Sequence, residues 1–180
     1  CVFKRFCYDS PHQEILMSDL QQLLRTAVHE AGHATVGLVL FPNRIVYASI
    51  VPQDELLGAV GHTLEWEEIM AASINEFIDH QAVVFAGRAA EEAGYNGDYR
   101  KSGLQNDETA AYEQFNAYWR SHREFEIDEV DIQNKALERA RAILHREHQL
   151  FTAIMTRLLI VQSIGPEGLK LLRDKHLTTT

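Results

Sequence analysis

The stretch T-A-V-H-E-A-G-H-A-T-V, residues 26–36, decides how this chain is interpreted. It lies within a longer segment, residues 14–40, whose apolar side chains recur at helical spacing. On such a helix His29 and His33 lie one turn apart on the same face, so both imidazoles can reach one metal ion. Glu30 is displaced from that face and is placed to hold a metal-bound water and to accept its proton. The sequence therefore predicts a metal site on this helix.

The H-E-x-x-H spacing also has an ordinary explanation, because a chain with 9 histidines can produce it by chance. The residues on both sides of the motif are largely apolar, which predicts that this turn is buried. Burial of two imidazoles and a carboxylate without suitable partners costs free energy, so the pattern favours the metal interpretation. Catalytic zinc usually takes three protein ligands and a water, so one ligand remains to be found.

Two downstream motifs carry carboxylates that could supply the third ligand. The first is A-G-R-A-A-E-E, residues 86–92, which offers Glu91 or Glu92. The second is S-G-L-Q-N-D, residues 102–107, which offers Asp107. Spacing alone slightly favours the glutamate, because other zinc peptidases with this motif take a glutamate from the next helix. The residue pattern leaves both candidates open.

The rest of the chain contains few extended segments and many helical ones. β-Branched side chains predict a strand over residues 44–51, and a glycine-containing extended segment follows over residues 58–66. Apolar positions at helical spacing predict helices over residues 71–94, 104–122, 131–162 and 166–175. A polar patch at residues 145–149 could divide the third of these helices.

These elements predict a mainly α domain of the α+β class, with a small β-sheet whose edge strand lies near the active-site helix. We expect an irregular leader over residues 1–13 and one domain over residues 14–175. The active-site helix and the sheet would occupy residues 14–66, and the helical part would occupy residues 71–175.

The second extended segment is a candidate binding edge. Its glycines suit a strand that another backbone approaches, and an extended peptide can add to an exposed sheet edge through main-chain hydrogen bonds. The alternative is an ordinary hairpin strand packed on the helices. The candidate substrate-binding residues are Ala59, Val60, Gly61, His62 and Thr63.

Composition excludes several classes of partner. Lys and Arg number 17 against 26 Asp and Glu, for a formal net charge of −9. An acidic surface repels phosphate backbones and anionic headgroups, so we expect neither nucleic acid nor an anionic membrane as a partner. No apolar stretch approaches the roughly 20 residues that span a bilayer. Because the chain opens on Cys1 rather than Met, we interpret it as processed or as a fragment.

Four motifs carry a family resemblance when they are taken together. In chain order they are H-E-A-G-H-A at residues 29–34, I-V-P with A-V-G-H-T-L at residues 50–52 and 59–64, A-G-R-A-A-E-E at residues 86–92, and S-G-L-Q-N-D at residues 102–107. In this order and spacing they resemble the peptidase domain of the FtsH-type, membrane-associated AAA zinc metalloproteases. The resemblance extends over about residues 26–174.

The resemblance implies a helical metallopeptidase domain and assigns the third ligand. Because that family takes its third ligand from the aspartate of the N-D pair, Zn²⁺ would be held by His29, His33 and Asp107. Glu91 would then lie beside the ligands, either accepting an N–H from a ligating histidine or forming a structural ion pair with Arg88.

The chain also departs from the family pattern. It contains no G-x-x-x-x-G-K-[ST] loop, so these residues include no AAA ATPase. Leu104, Gln105 and Glu108 replace the small and hydrophobic residues that surround the aspartate in the family, and His62 replaces an aromatic residue on the edge strand. These changes leave the ligands intact and bear on substrate choice and on coupling to ATP.

The combined expectation is a zinc-dependent endopeptidase that cleaves unfolded or extended polypeptides, with metal-activated water and Glu30 as general base. Two alternatives are a catalytically silent or regulatory scaffold of the same fold and a zinc amidohydrolase acting on a small substrate. The resemblance further implies a homo-oligomeric ring and an AAA ATPase or membrane-anchored portion outside this chain. It also implies a location in the cytoplasm or on the stromal or matrix side of an organelle.

Overall fold

The computed structural model describes residues 11–53, 56–95, 97, 101–122 and 128–177, and of residues 11–18 and 101–106 only the helical backbone is described. The elements found in these residues are α1 (Pro11–Leu40), β1 (Ile45–Ser49), β2 (Ala59–His62), α2 (Trp66–Ala71), α3 (Ile74–Val84), α4 (Ala86–Gly94), α5 (Lys101–Ser121), α6 (Glu129–Arg146), α7 (His148–Val161), β3 (Ser163–Ile164) and α8 (Pro166–His176). The predicted fold class, mainly helical with a small sheet, is confirmed.

Helix α1 forms the centre of the fold. One of its sides packs on α3, α4 and α6 through Val28 and Val36, and another packs on β1 and α7 through Ala31 and Leu38. The approach to α4 is close at Gly32, where a Cβ atom would lie 2.5 Å from the carbonyl oxygen of Ala86. Because α1 is covered on these sides, the H-E-x-x-H turn lies inside the molecule.

The N-terminal boundary of α1 differs from the prediction. The irregular leader was expected over residues 1–13, but residues 11–13 are already helical. Pro11 explains the difference, because proline is well suited to the first turn of a helix, where its missing N–H has no partner to lose. Residues 1–10 lie outside the described residues.

The sheet has the strand order β2-β1-β3 and is antiparallel throughout. Strand β1 is central, with Ser49 opposite Ala59 on one side and opposite Ser163 on the other. Strand β2 is therefore an edge strand, as predicted. The sheet also takes in Ser163–Ile164, so its restriction to residues 14–66 is wrong. A two-residue strand has no periodicity to detect, and only its pairing with β1 defines it.

The predicted helix over residues 71–94 is two helices, α3 and α4, and its first residue is the last residue of α2, a helix that was not predicted. Ser73 separates α2 from α3: its hydroxyl accepts the N–H of Glu76, whose side chain accepts the N–H of Ser73. This S-x-x-E pattern is a capping box, which marks the start of a helix. The pattern is present in the sequence, but the prediction followed the apolar periodicity across it. A second break falls at Phe85, which ends α3 and precedes α4.

The C-terminal half follows the predicted pattern closely. The suspected break in the long helix falls at Glu147, between α6 and α7. Helix α5 begins three residues before the predicted start at residue 104. Among the described residues, no helix combines the length and the apolar character needed to cross a membrane.

Candidate metal centre

The two histidines of the motif face each other across one turn of α1. The Nε2 atoms of His29 and His33 are 3.0 Å apart, and both residues are nearly inaccessible to solvent. The third donor comes from α5, far along the chain. The Oδ2 atom of Asp107 lies 3.1 Å from Nε2 of His29 and 3.4 Å from Nε2 of His33. The three side chains thus present three donor atoms to one point.

Hydrogen bonds at the outer nitrogens define the tautomer of each ring. Nδ1 of His29 lies 3.0 Å from Oε1 of Glu91, and Nδ1 of His33 lies 2.7 Å from the carbonyl oxygen of Val83. Carboxylate and carbonyl oxygens accept hydrogen bonds, so in the neutral form of each ring Nδ1 carries the hydrogen and Nε2 presents a lone pair. Two imidazole lone pairs and a carboxylate oxygen then point at each other, an arrangement that repels unless a cation lies between them.

The spacing of the three donors fits a zinc ion. Ligands at 2.0–2.1 Å from a tetrahedral centre stand roughly 3.3 Å apart. The three observed separations, 3.0, 3.1 and 3.4 Å, lie close to that value. The Oδ2 atom of Asp107 is buried and has no hydrogen-bond partner among the described residues. A buried carboxylate oxygen without a hydrogen bond is costly, and coordination of a metal would relieve that cost.

The electrostatics of the site also favour a positive charge. Burial alone would lower the pKa of His29, but the carboxylates of Asp107 and Glu91 outweigh it and raise that pKa to about 9. Burial likewise opposes a charge on His33, and Asp107 raises the pKa of that ring. Burial would raise the pKa of Asp107, yet the two histidines hold it well below its usual range. Each shift indicates an environment that stabilises a cation among these three side chains.

Glu30 lies beside the three donors at the wall of an open cleft. It is 6% exposed and, with His29, His33 and Asp107, lines a cleft of about 520 Å³. Gly58 approaches it from the sheet, since a Cβ atom there would lie 2.7 Å from Oε1 of Glu30. The glutamate therefore lies beside the segment that leads into the edge strand β2.

The predicted binding edge divides into residues that reach the cleft and residues that do not. Ala59, Val60 and His62 line it. Gly61 lies against Tyr47, whose ring atoms a Cβ at position 61 would overlap. Thr63 donates its N–H to the carbonyl of Arg44 at 2.8 Å. Three of the five candidate substrate-binding residues therefore line the cleft.

The acidic residues of the A-G-R-A-A-E-E motif lie in different surroundings. Glu91 is fully buried beside His29, on the side of the ring away from Asp107. Arg88, its suggested ion-pair partner, places Nε 2.9 Å from Oε1 of Glu92. Arg141 also contacts Glu92. Glu92, the other candidate ligand, is thus engaged with two arginines.

Sequence reasoning missed the hydrogen bonds that hold α5 in place. Gln81 of α3 donates its amide to Oε1 of Gln114 at 2.8 Å. The buried Tyr118 stacks on Phe77 with ring centroids 4.0 Å apart and donates its hydroxyl to the carbonyl of Ala72. These contacts lie two to three turns beyond Asp107 on the same helix and position its carboxylate. No local sequence pattern predicts these contacts, because each of them joins two segments that are distant in sequence.

Gly87 was also missed as a functional position. It lies where α4 passes the two histidine rings, and a Cβ atom there would overlap His29 and come within 2.5 Å of Nε2 of His33. Only a residue without a side chain leaves the rings in their positions. The glycine of the A-G-R-A-A-E-E motif could have signalled this close approach.

Replacement of Gly87 by alanine should therefore damage the metal centre. We expect Gly87→Ala to weaken zinc binding by about tenfold or more, because the added methyl group displaces the two histidine rings. This effect is similar to that of losing a residue that hydrogen-bonds to a metal ligand. Gly94→Ala in the same helix is the matched control, since its Cβ would meet only Val28, at 3.8 Å. Competition titration with a zinc chelator measures both. Equal zinc affinity in Gly87→Ala and Gly94→Ala would contradict the close approach.

The fold and the site together define a class of protein. Two histidines on one helix and an aspartate from a second helix form the donor set of a metallopeptidase-type site, and the glutamate next to the first histidine completes the H-E-x-x-H pattern. The family model described as Peptidase family M41 matches residues 16–117. The chain belongs to peptidase family M41.

Curated relatives agree with this assignment. The chain is 30% identical over 170 residues to the ATP-dependent zinc metalloprotease FtsH 2 of Thermoanaerobacter sp., a match that covers 84% of this chain and 33% of the relative. It is 39% identical over 93 residues to the FtsH protein of Chlamydia trachomatis serovar L2, covering 51% of this chain and 10% of the relative. These matches take in a third or less of each relative's length.

Proposed function

We propose that this chain is a zinc-dependent endopeptidase that cleaves unfolded or extended polypeptides. The observation that carries the proposal is the triangle of donor atoms from His29, His33 and Asp107, next to Glu30 and the edge strand β2. The names of the relatives, which are zinc metalloproteases, support zinc as the metal. The resemblance to that family supports polypeptide as the substrate.

Zinc, when held by these three residues, supplies Lewis-acid chemistry to the scissile carbonyl and to a water molecule. Glu30 holds that water through its carboxylate, accepts a proton from it, and later donates the proton to the nitrogen of the leaving amine. Glu91 and the carbonyl of Val83 keep the Nδ1 hydrogens in place, so that both Nε2 atoms remain available as ligands.

Strand β2 orients the substrate. One edge of β2 pairs with β1 and the other pairs with no strand of the described sheet, and three residues of β2 line the cleft. A polypeptide lying antiparallel or parallel to β2 would form main-chain hydrogen bonds with it, which accept many sequences but require an extended chain. A cleft along a strand favours a polypeptide over a small amide. The retained Glu30 argues against a silent scaffold, which has no need of a proton acceptor at this place.

The proposal is tested with the purified 180-residue chain and an unfolded, casein-like polypeptide. We expect about one zinc per chain and slow cleavage of this substrate, abolished by a chelator and restored by added Zn²⁺. Mass spectrometry of the products identifies internal cleavage and so distinguishes an endopeptidase from an enzyme that trims ends. A zinc-loaded chain that leaves the substrate intact would contradict the proposal and favour the scaffold alternative.

ATP should not alter this reaction. The chain has no phosphate-binding loop, so ATP–Mg²⁺ should neither accelerate cleavage of an unfolded chain nor allow digestion of a stable folded protein. The four combinations of folded or unfolded substrate with and without ATP–Mg²⁺ form the measurement. Acceleration by ATP, or digestion of the folded protein, would contradict this expectation. As in the family that the chain resembles, an AAA ATPase and a ring of such chains would deliver the unfolded substrate.

A further inference from the structure

Strand β2 carries a polar side chain that the proposed mechanism does not use. His62 ends the strand and lines the same cleft as Glu30 and Asp107. The cleft-lining side chains of Ile45, its partner across the sheet, and of Val60 are apolar. An imidazole in this position adds a hydrogen-bonding side chain beside these apolar ones.

The hydrogen bonding of His62 makes it a donor. Its Nδ1 accepts the N–H of Leu64 at 3.2 Å, so the proton of the neutral ring is on Nε2. Burial lowers the pKa of His62, which keeps the ring neutral near pH 7. Within the described part of the chain, Nε2 makes no hydrogen bond. The ring thus brings one oriented N–H donor to the cleft.

The position of His62 along the strand relates it to the cleavage site. Gly58 lies next to Glu30, and His62 follows four residues later, roughly 13 Å along an extended strand. A substrate strand beside β2 would place a side chain of the same face about 5 Å from His62. That side chain would lie about three or four residues from the cleaved bond.

We propose that His62 is a specificity-determining residue, which selects substrates with a hydrogen-bond acceptor, an amide or a carboxylate, at this position. The inference rests on the proposed function. An acceptor pairs with Nε2–H, whereas an apolar side chain of equal length removes water from that donor and leaves it unpaired, which disfavours binding.

The test uses a set of unstructured peptides that differ from one another at a single residue. Gln, Glu or Met, which are similar in length, is placed in turn three and four residues to either side of the cleaved bond. Cleavage is measured as kcat/KM with the zinc-loaded chain. Binding is measured separately, as a dissociation constant by fluorescence anisotropy, with the zinc-loaded Glu30→Gln variant. Both measurements are repeated after His62→Leu. His145→Leu is the matched control, because His145 is exposed at the end of α6 and does not line the cleft.

At one of these positions the Gln and Glu peptides should bind about three- to tenfold more tightly than the Met peptide, the usual effect of one hydrogen bond, and be cleaved faster by a similar ratio. His62→Leu should reduce the ratio to about one, and His145→Leu should leave it unchanged. A preference absent at every position, or retained in His62→Leu, overturns the proposal. If no peptide is cleaved while the binding preference persists, the endopeptidase function fails and the role of His62 stands. If no peptide binds, both fail.

Discussion

Glu30→Gln should hold zinc with the affinity of the unsubstituted chain and lose nearly all cleavage of an unfolded polypeptide. Glutamine keeps the length of the side chain and its hydrogen bonding but cannot accept a proton from water. Removal of a general base lowers the rate by about two to four orders of magnitude. Because Glu30 is not among the three donors around the candidate metal position, zinc content should not change. Initial rates of product formation and zinc content, measured on the same preparation, give the two numbers.

The control for this prediction is Glu113→Gln. Glu113 is exposed on α5 and does not line the cleft, so the same change of one charge should leave the rate within about twofold. Circular dichroism of both variants tests whether the fold is retained. If Glu30→Gln cleaves as fast as the unsubstituted chain, the proton is taken by another group and the assigned mechanism is wrong.

Asp107→Asn should lose most of its zinc. Asparagine has nearly the same shape as aspartate, but its amide is neutral. The amide therefore does not balance the positive charge of Zn²⁺ as a carboxylate ligand does. We expect the zinc affinity to fall by more than about a hundredfold, which is more than is typical when a residue that only hydrogen-bonds to a ligand is replaced. The rise in unfolding temperature that bound zinc gives to the unsubstituted chain should disappear with it. Competition titration and thermal melts with and without Zn²⁺ provide the measurements.

Two further variants separate a ligand from its neighbours. Glu91→Gln should weaken zinc binding by about ten- to a hundredfold, less than Asp107→Asn, because it removes only the charged acceptor of the His29 Nδ1 hydrogen. Asp19→Asn changes an exposed carboxylate of α1 and should have no effect. If Asp107→Asn binds zinc as tightly as Asp19→Asn, the third ligand is another residue. A greater loss in Glu91→Gln than in Asp107→Asn would point to Glu91.

Several errors at the level of single elements have one cause, the use of periodicity alone. Helical spacing continues across Phe85, so α3 and α4 were interpreted as one helix. The prediction also started that helix before Ser73, although the capping box of Ser73 and Glu76 marks the start of α3. The start of α1 at Pro11 reflects another terminal signal that apolar spacing does not contain. Strand β3 could not be found in this way, because two residues acquire their conformation from pairing with β1.

The sequence by itself determined what lies within one or two turns of a helix. The spacing of His29 and His33 places both rings on one face, and the position of Glu30 follows from the same helix geometry. The order of the four motifs indicated a zinc metalloprotease family. The match of residues 16–117 to the model of peptidase family M41 confirms that prediction. The alternation and glycines of residues 58–66 likewise indicated an edge strand, because both are local properties of an extended chain.

Only the tertiary structure decided which distant groups meet. From the residues alone, spacing slightly favoured a glutamate, Glu91 or Glu92, over Asp107 as the third ligand, and only the family resemblance assigned Asp107. The packing of α4 and α5 against α1 and α3 places Glu91 at Nδ1 of His29 and Asp107 at Nε2. The Val83 carbonyl, the Gln81–Gln114 hydrogen bond and the close approach of Gly87 arise in the same packing. Such contacts depend on how helices cross, and a crossing is determined by the whole buried surface rather than by any local pattern.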